Sequence, residues 1–134
     1  MTKVLIVEDT DEMRTLLKSY LERMLKLEVI EAVNGLEGIK LARLEQPDVI
    51  ILDLMMPVAG GDLALGFLRS TPPLNNIPVI VSSAHPNAQR IAQQLGAAAC
   101  LKKPYDLFTL REAIEKALIS SGHTSTESVA PSGK

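Results

Sequence analysis

Val4-Leu5-Ile6-Val7-Glu8-Asp9 decides how this chain is read: four apolar residues without a polar interruption, then two carboxylates at once. An unbroken apolar run of strand length suits a strand buried on both faces, as in a parallel sheet. A strand with one wet face would alternate instead. Three more runs share the form: Val49 to Leu52, Val79 to Val81 and Ala98 to Leu101. Glu28 to Ala32 is a fifth and weaker strand, and its glutamates suit a sheet edge.

Working outward, helical spacing fills the intervals. Met13, Leu16, Leu17, Tyr20, Leu21 and Met24 recur on one helix face. Leu36, Ile39 and Ala42 mark a second helix, opened by Asn34-Gly35 and closed before Pro47. A third runs from about Asp62 to Arg69 and stops at Thr71-Pro72-Pro73. Ile91, Ala92 and Leu95 define a fourth, with Gly96 placed as its C-terminal cap. Leu107, Leu110, Ile114, Ala117 and Leu118 define the fifth. Strand and helix alternate five times, and right-handed crossovers between parallel strands then give an α/β doubly wound sandwich with helices on both faces.

Composition bounds the rest. With 134 residues, 46% of them hydrophobic, the chain can bury one core and is too short for two ordinary domains. A net charge of -2 and 3% aromatic residues without tryptophan argue against a nucleic-acid binder, which needs a basic stripe or stacking platforms. The single cysteine excludes an internal disulfide framework and any multi-cysteine metal site. No apolar run reaches membrane-spanning length, and Met1-Thr2-Lys3 leads straight into the first strand without signal-peptide anatomy. The expectation is a cytoplasmic protein with no membrane segment. Its ordered domain spans 1–119, and the small, polar residues 120–134 form a disordered tail or the start of a linker.

In doubly wound folds the site lies beyond the carboxyl ends of the strands. Glu8 and Asp9 follow the first strand, Asp53 the third, Ser82 and Ser83 the fourth, and Lys102 and Lys103 the last. Crowded carboxylates repel one another and call for a cation. Hard oxygen ligands with open positions suit Mg²⁺, which keeps waters and accepts phosphate oxygens as partners. A lysine adds a second positive charge and a serine hydroxyl adds a hydrogen bond. The set reads as a phosphoryl-transfer site with an aspartate acceptor. Each residue alone has a plainer explanation, since an acidic pair at a strand end often only favours the next helix dipole. Four strand ends carrying compatible groups together is what outweighs it.

These residues also carry a resemblance. Val4 to Asp9, Asn34-Gly35, Asp53-Leu54-Met55-Met56-Pro57 with Gly61, Pro78 to Ala84, and Lys103-Pro104-Tyr105 fall in the order and spacing of a bacterial two-component response regulator. Residues 3 to about 119 resemble its CheY-like receiver domain. The resemblance implies a five-stranded parallel sheet in the order 2-1-3-4-5. It implies that Asp53 is the phosphoacceptor, taking phosphate from a histidine kinase or a histidine phosphotransfer protein. Glu8 and Asp9 would bind Mg²⁺ (or Mn²⁺), joined by Asp53 and the backbone carbonyl of Met55. Ser83 would be the switch hydroxyl with the Ala84 amide beside it, and Lys103 would pair with phosphoryl oxygens. The Lys103–Pro104 bond is expected to be cis, and Pro57 and Gly61 to shape the loop after Asp53. Output would run through the face of the fourth helix, fifth strand and fifth helix to a downstream protein, and that face is also where a homodimer would form.

The chain departs from its relatives at one place: the aromatic residue they commonly carry three positions before the lysine is Cys100 here. Cys100 is expected to be a small buried hydrophobe. Met55 and His85 occupy positions that set acyl-phosphate lifetime in relatives; Met55 is expected to hinder in-line water, and His85 to orient water or simply cover the site. Three other readings compete. A flavodoxin-like cofactor binder would hold a phosphate in a Ser/Thr/Gly-rich first loop, and Glu8-Asp9-Thr10-Asp11-Glu12 repels one. A haloacid dehalogenase-type phosphatase resembles a pattern with a second acid two residues past the nucleophile, where Met55 stands. Turnover of external substrates is therefore not expected. A degenerate receiver, docking without phosphorylation, would not need all five of Glu8, Asp9, Asp53, Ser83 and Lys103.

Overall fold

The computed structural model describes residues 2–56 and 60–121. Strands β1 (Lys3–Val7), β2 (Glu28–Ala32), β3 (Val49–Leu52), β4 (Val79–Ser83) and β5 (Ala99–Lys102) alternate with helices α1 (Asp11–Arg23), α2 (Gly35–Glu45), α3 (Gly61–Ser70), α4 (Ala88–Leu95) and α5 (Leu107–Ser120). All four strand pairings are parallel, in the order β2-β1-β3-β4-β5. That is the doubly wound sheet the apolar runs implied, with β2 at one edge. The last strand lies one residue later than its apolar run, because Lys102 still pairs with Ser83.

The period of two along each strand sorts the core into two layers. Val4, Ile6, Val49, Ile51 and Ile80 point to one side, where Leu17 and Leu21 of α1 and Leu110, Ile114 and Leu118 of α5 cover them. Leu5, Val7, Ile50, Leu52, Val79 and Val81 point to the other and pack against Ala42 of α2, Leu65 and Leu68 of α3 and Ala92 of α4. The large side chains at the centre of these layers, Leu5 and Ile51 among them, are essentially solvent-free. Truncating one to alanine would cost about 2–5 kcal/mol.

The helices lie where the apolar spacing puts them, but they turn fewer of those residues inward. In α1 only Leu17 and Leu21 are buried; Leu16 and Met24 stand outward, as does Leu36 in α2. A sheet shields a narrower stripe than apolar spacing suggests. The ends behave as their residues dictate. Asn34 caps α2 by accepting the Glu37 amide at 2.8 Å, and Glu37 returns a bond from the Val33 amide at 2.7 Å. Gly96 ends α4 at φ 83°, a left-handed conformation suited to glycine. After α3 a short 3-10 turn at Leu74–Asn76 leads into β4. The tail expected over 120–134 lies, from residue 122 onward, outside the described residues, and so does Pro57.

Candidate functional site

The strand order reverses between β1 and β3, and the parallel ladder runs on past the strand ends there. Glu8 donates its amide to the Ala32 carbonyl (3.0 Å), Asp53 to the Val7 carbonyl (3.0 Å), and Lys103 to the Ser83 carbonyl (3.0 Å). Glu8, Asp53 and Lys103 are thus each the first residue beyond a strand, held by the ladder rather than by a loose loop. Ser82 and Ser83, expected just past β4, are instead its last two residues, because the pairing with β5 runs on to Lys102. Glu8, Asp53 and Ser83 are buried at 2%, 5% and 0% exposure, and Asp9 is half-buried.

Carboxylate oxygens of Glu8, Asp9 and Asp53 lie within 4.8 Å of one another. Lys103 Nζ stands 2.9 Å from Glu8 Oε1 and 3.6 Å from Asp53 Oδ2. The other Glu8 oxygen accepts the Thr10 amide (3.2 Å), and Asp53 Oδ1 accepts the Met55 amide (3.1 Å). Burial pushes the Asp53 carboxyl above its ordinary value. The Met55 amide and Lys103 pull it down, while Glu8 and Asp9 add to the rise. For Lys103 burial works against the charge, yet the Glu8 hydrogen bond and the Asp53 and Glu8 charges outweigh it and hold the ammonium above its ordinary pKa. Three carboxylates facing one ammonium leave negative charge uncompensated in a water-poor corner. Hard oxygen donors in that state fit Mg²⁺ or Mn²⁺.

Gly61 explains how the loop after Asp53 folds back so closely. A Cβ at Gly61 would lie 2.1 Å from the Asp53 carbonyl oxygen, so no other residue fits without moving the backbone. Met55 is half exposed beside the acid cluster. It borders a cleft of about 460 Å³ that Met56, Asp62, His85 and Ile91 also line. Ser83 Oγ accepts the His85 amide at 3.0 Å, within its own loop. Ala84 is exposed at the rim, and His85 is half-buried with Nδ1 accepting the Asn87 amide at 2.9 Å ahead of α4. The Lys103–Pro104 peptide is cis, as expected.

Cys100 pairs across from Val81 and is half-buried against the α2–α4 layer, where burial pushes its thiol pKa up; it is a packing residue rather than a thiolate. Two sets of contacts at the rim have no counterpart in the sequence motifs. Tyr105 donates to or accepts from Ser82, Oη to Oγ 2.8 Å, on the opposite side of the sheet from Cys100. Arg14, on the first turn of α1, sends Nη1 to the Glu8 carbonyl at 2.8 Å and pairs through Nε with Glu31 Oε1 at 3.3 Å and through Nη2 with Asp11. Its only signal in the sequence was a basic residue near an acidic turn.

A family model for the response regulator receiver domain matches residues 4–115. The chain is 30% identical over 118 residues to sporulation initiation phosphotransferase F of Bacillus subtilis, covering 87% of this chain and 93% of that one. It is 36% identical over 117 residues to a probable C4-dicarboxylate response regulator, DctR, of the same organism. That match covers 85% of this chain and 51% of the relative. The chain spans about half the length of several other curated relatives as well. Among solved structures, the receiver domain of the sensor histidine kinase PA1611 from Pseudomonas aeruginosa, with a magnesium ion in its active-site cleft, superposes with a TM-score of 0.80 at 24% identity. It covers 87% of this chain and 97% of that domain.

Proposed function

The chain belongs to the response regulator receiver family, the phosphoacceptor switches of two-component signalling, and from that premise we propose that it takes a phosphoryl group from a protein histidine onto Asp53. The observation that carries the assignment is the Glu8–Asp9–Asp53 cluster, with Glu8 and Asp53 buried and a lysine against them. Glu8, Asp9 and Asp53 would hold Mg²⁺, joined by the Met55 carbonyl, and Mn²⁺ would substitute. Bound there, the ion supplies positive charge to the acid cluster and to phosphoryl oxygens.

An Asp53 carboxylate oxygen attacks phosphorus in line, the P–N bond to the donor imidazole breaks, and the bond pair leaves with that nitrogen. The product is an acyl phosphate on Asp53 that brings about -1.5 to -2 charges to the rim. Lys103 then exchanges its contact with Glu8 and Asp53 for the phosphoryl oxygens. The Ser83 hydroxyl leaves the His85 amide to donate to the same group, and the Ala84 amide stands beside it. That rearrangement pulls on the loops after β3 and β4 and alters the α4-β5-α5 face, which presents the output to a protein partner or to a second copy of the chain.

The switch is stoichiometric: without an acid at Met55 to activate water, external phosphoesters are not turned over. Half-exposed Met55 hinders water in line with the acyl phosphate, and His85 covers the neighbouring edge of the cleft. Replacing Met55 with asparagine would therefore speed phosphate loss. No helix among the described residues is long and apolar enough to cross a membrane.

The test is intact-protein mass after incubation with Mg²⁺ and acetyl phosphate, beside the Asp53→Asn variant. One added phosphoryl group that needs both Mg²⁺ and Asp53 is expected. No modification under any condition would instead make this a receiver that docks without being phosphorylated.

A further inference from the structure

We propose that Arg14 is a positioning residue for the metal site: it fixes the peptide that joins Glu8 to Asp9 and thereby sets the affinity of the acid cluster for a divalent cation. The role rests on reading that cluster as a Mg²⁺ site.

The carbonyl Arg14 grips is the one between the two acids. Glu8 C=O and Asp9 N–H belong to a single planar peptide unit, so fixing the direction of that carbonyl fixes the plane from which both side chains depart. On its other side Glu8 is already held, its amide bonded to the Ala32 carbonyl at 3.0 Å. The Arg14 bond at 2.8 Å completes the grip just where the chain leaves β1 and turns into α1. The Glu8 side chain is held by Lys103 and the Thr10 amide, so what Arg14 adds is a hold on the carbonyl of the peptide that leads into Asp9.

Arg14 is itself held from three directions. Its amide bonds back to the Thr10 carbonyl at 3.0 Å, and its side chain is only 14% exposed. Nε reaches Glu31 on β2, directly across the ladder from Ile6, and Nη2 reaches Asp11. Glu31 is fixed in turn by Lys18 Nζ at 3.1 Å. A guanidinium presents its donors as a rigid planar fork, so one side chain meets a carbonyl and two carboxylates together; a lysine ammonium, a point charge on a flexible stem, does not reproduce this. Polar partners that orient metal ligands from outside commonly account for ten- to hundred-fold in metal affinity.

The role makes a prediction of unusual sign. Arg14 is a cation close to a cation site, so electrostatics alone would have its removal tighten metal binding. Positioning has its removal weaken it. Mn²⁺ binding to the full chain, followed by electron paramagnetic resonance without any phosphodonor, separates the two.

Arg14→Gln is expected to weaken Mn²⁺ binding on the order of ten-fold. Arg14→Lys, which keeps the charge, should recover little of it, and Glu31→Gln should weaken binding in the same direction but less. Melting of the metal-free variants confirms that each is folded at the assay temperature, and the acetyl phosphate reaction of Arg14→Lys should regain its rate at saturating Mg²⁺. Equal or tighter Mn²⁺ binding by Arg14→Gln overturns the role, as does full rescue by lysine. A wild-type chain that binds no Mn²⁺ overturns the metal-site reading itself, a result distinct from a wild type that binds and a variant that binds equally well.

Discussion

The two ends of the sheet handle charge in opposite ways. At the amino end the acids are matched within the chain. Lys3 donates its amide to Asp48 Oδ2 at 2.7 Å and accepts the Asp48 amide at 2.8 Å, and its ammonium pairs with Glu45 at 3.2 Å. Arg69 ties the α3–β4 connection by bonding the Leu74 and Ile77 carbonyls. At the carboxyl end three acids crowd together with Lys103 paired to only two of them, Glu8 and Asp53, and Asp53 is pushed by burial toward holding a proton. The same strands begin in a closed polar end and finish in an open one. Stability is sufficient reason for the first arrangement; the second costs stability in the metal-free chain and is explained by what it is ready to bind.

The contrast breaks most sharply at Asp53. Asp53→Asn should abolish acyl-phosphate formation altogether, and should also raise the melting temperature of the metal-free protein at neutral pH. A carboxyl whose folded pKa lies above its unfolded value near 3.8 leaves stability intact at lower pH. That stability is lost as pH rises from the unfolded toward the folded value, and the loss persists at neutrality. Asparagine removes that loss. At the other end Asp48→Asn should lower the melting temperature, because its carboxylate accepts the Lys3 amide. Thermal melts of both variants from pH 3 to 8 test the pair; destabilisation by both would erase the distinction.

Lys103 comes next. Removing one partner from a buried ion pair costs about 3–5 kcal/mol. Lys103 keeps some contact with water, 19% side-chain exposure, so Lys103→Met should cost about 2 kcal/mol in urea unfolding of the metal-free chain. Mg²⁺ should return part of that, since it supplies charge to the same carboxylates. The Lys103 contribution is fully present below the unfolded value near 10.5 and is lost as pH rises through the higher folded pKa. Lys3→Met, in a pair exposed by 26% and 42%, should cost about 0.2–1 kcal/mol and respond to Mg²⁺ not at all.

How much of this contrast could be read from residues alone follows from the range of each interaction. Strand ends and helix caps are local, so the unbroken runs and the Asn34-Gly35 turn located them, and the parallel fold then carried Glu8, Asp53, Ser83 and Lys103 to one rim. What stayed hidden needed side chains from distant segments. Whether Leu16 or Met24 faces the sheet depends on how α1 is rolled against it, which spacing does not fix. Arg14 meets Glu31 across 17 residues and Tyr105 meets Ser82 across 23, and neither pair has a sequence signature. Cys100 was legible as a packing residue by its size and apolar neighbours, whereas the hydroxyl pair on the other side of the sheet was not.

That hydroxyl pair provides a test in which the metal site should not respond at all. Ser82 is 1% exposed and its hydroxyl is bonded to that of Tyr105, so at the carboxyl end this is a polar group already satisfied within the chain, in the manner of the amino end. If the openness of the rim belongs to the acid cluster rather than to the position, this pair should act on stability alone. Ser82→Ala leaves the Tyr105 hydroxyl without its partner, and Tyr105→Phe does the same to Ser82; each should cost about 1–3 kcal/mol. The double variant should cost less than the sum, because removing both groups leaves neither buried and unmet. Mn²⁺ affinity should be the same in all four proteins. Additive losses would mean the two hydroxyls are not coupled. A drop in metal affinity would show that this neighbour of Ser83 and Lys103 belongs to the open end after all.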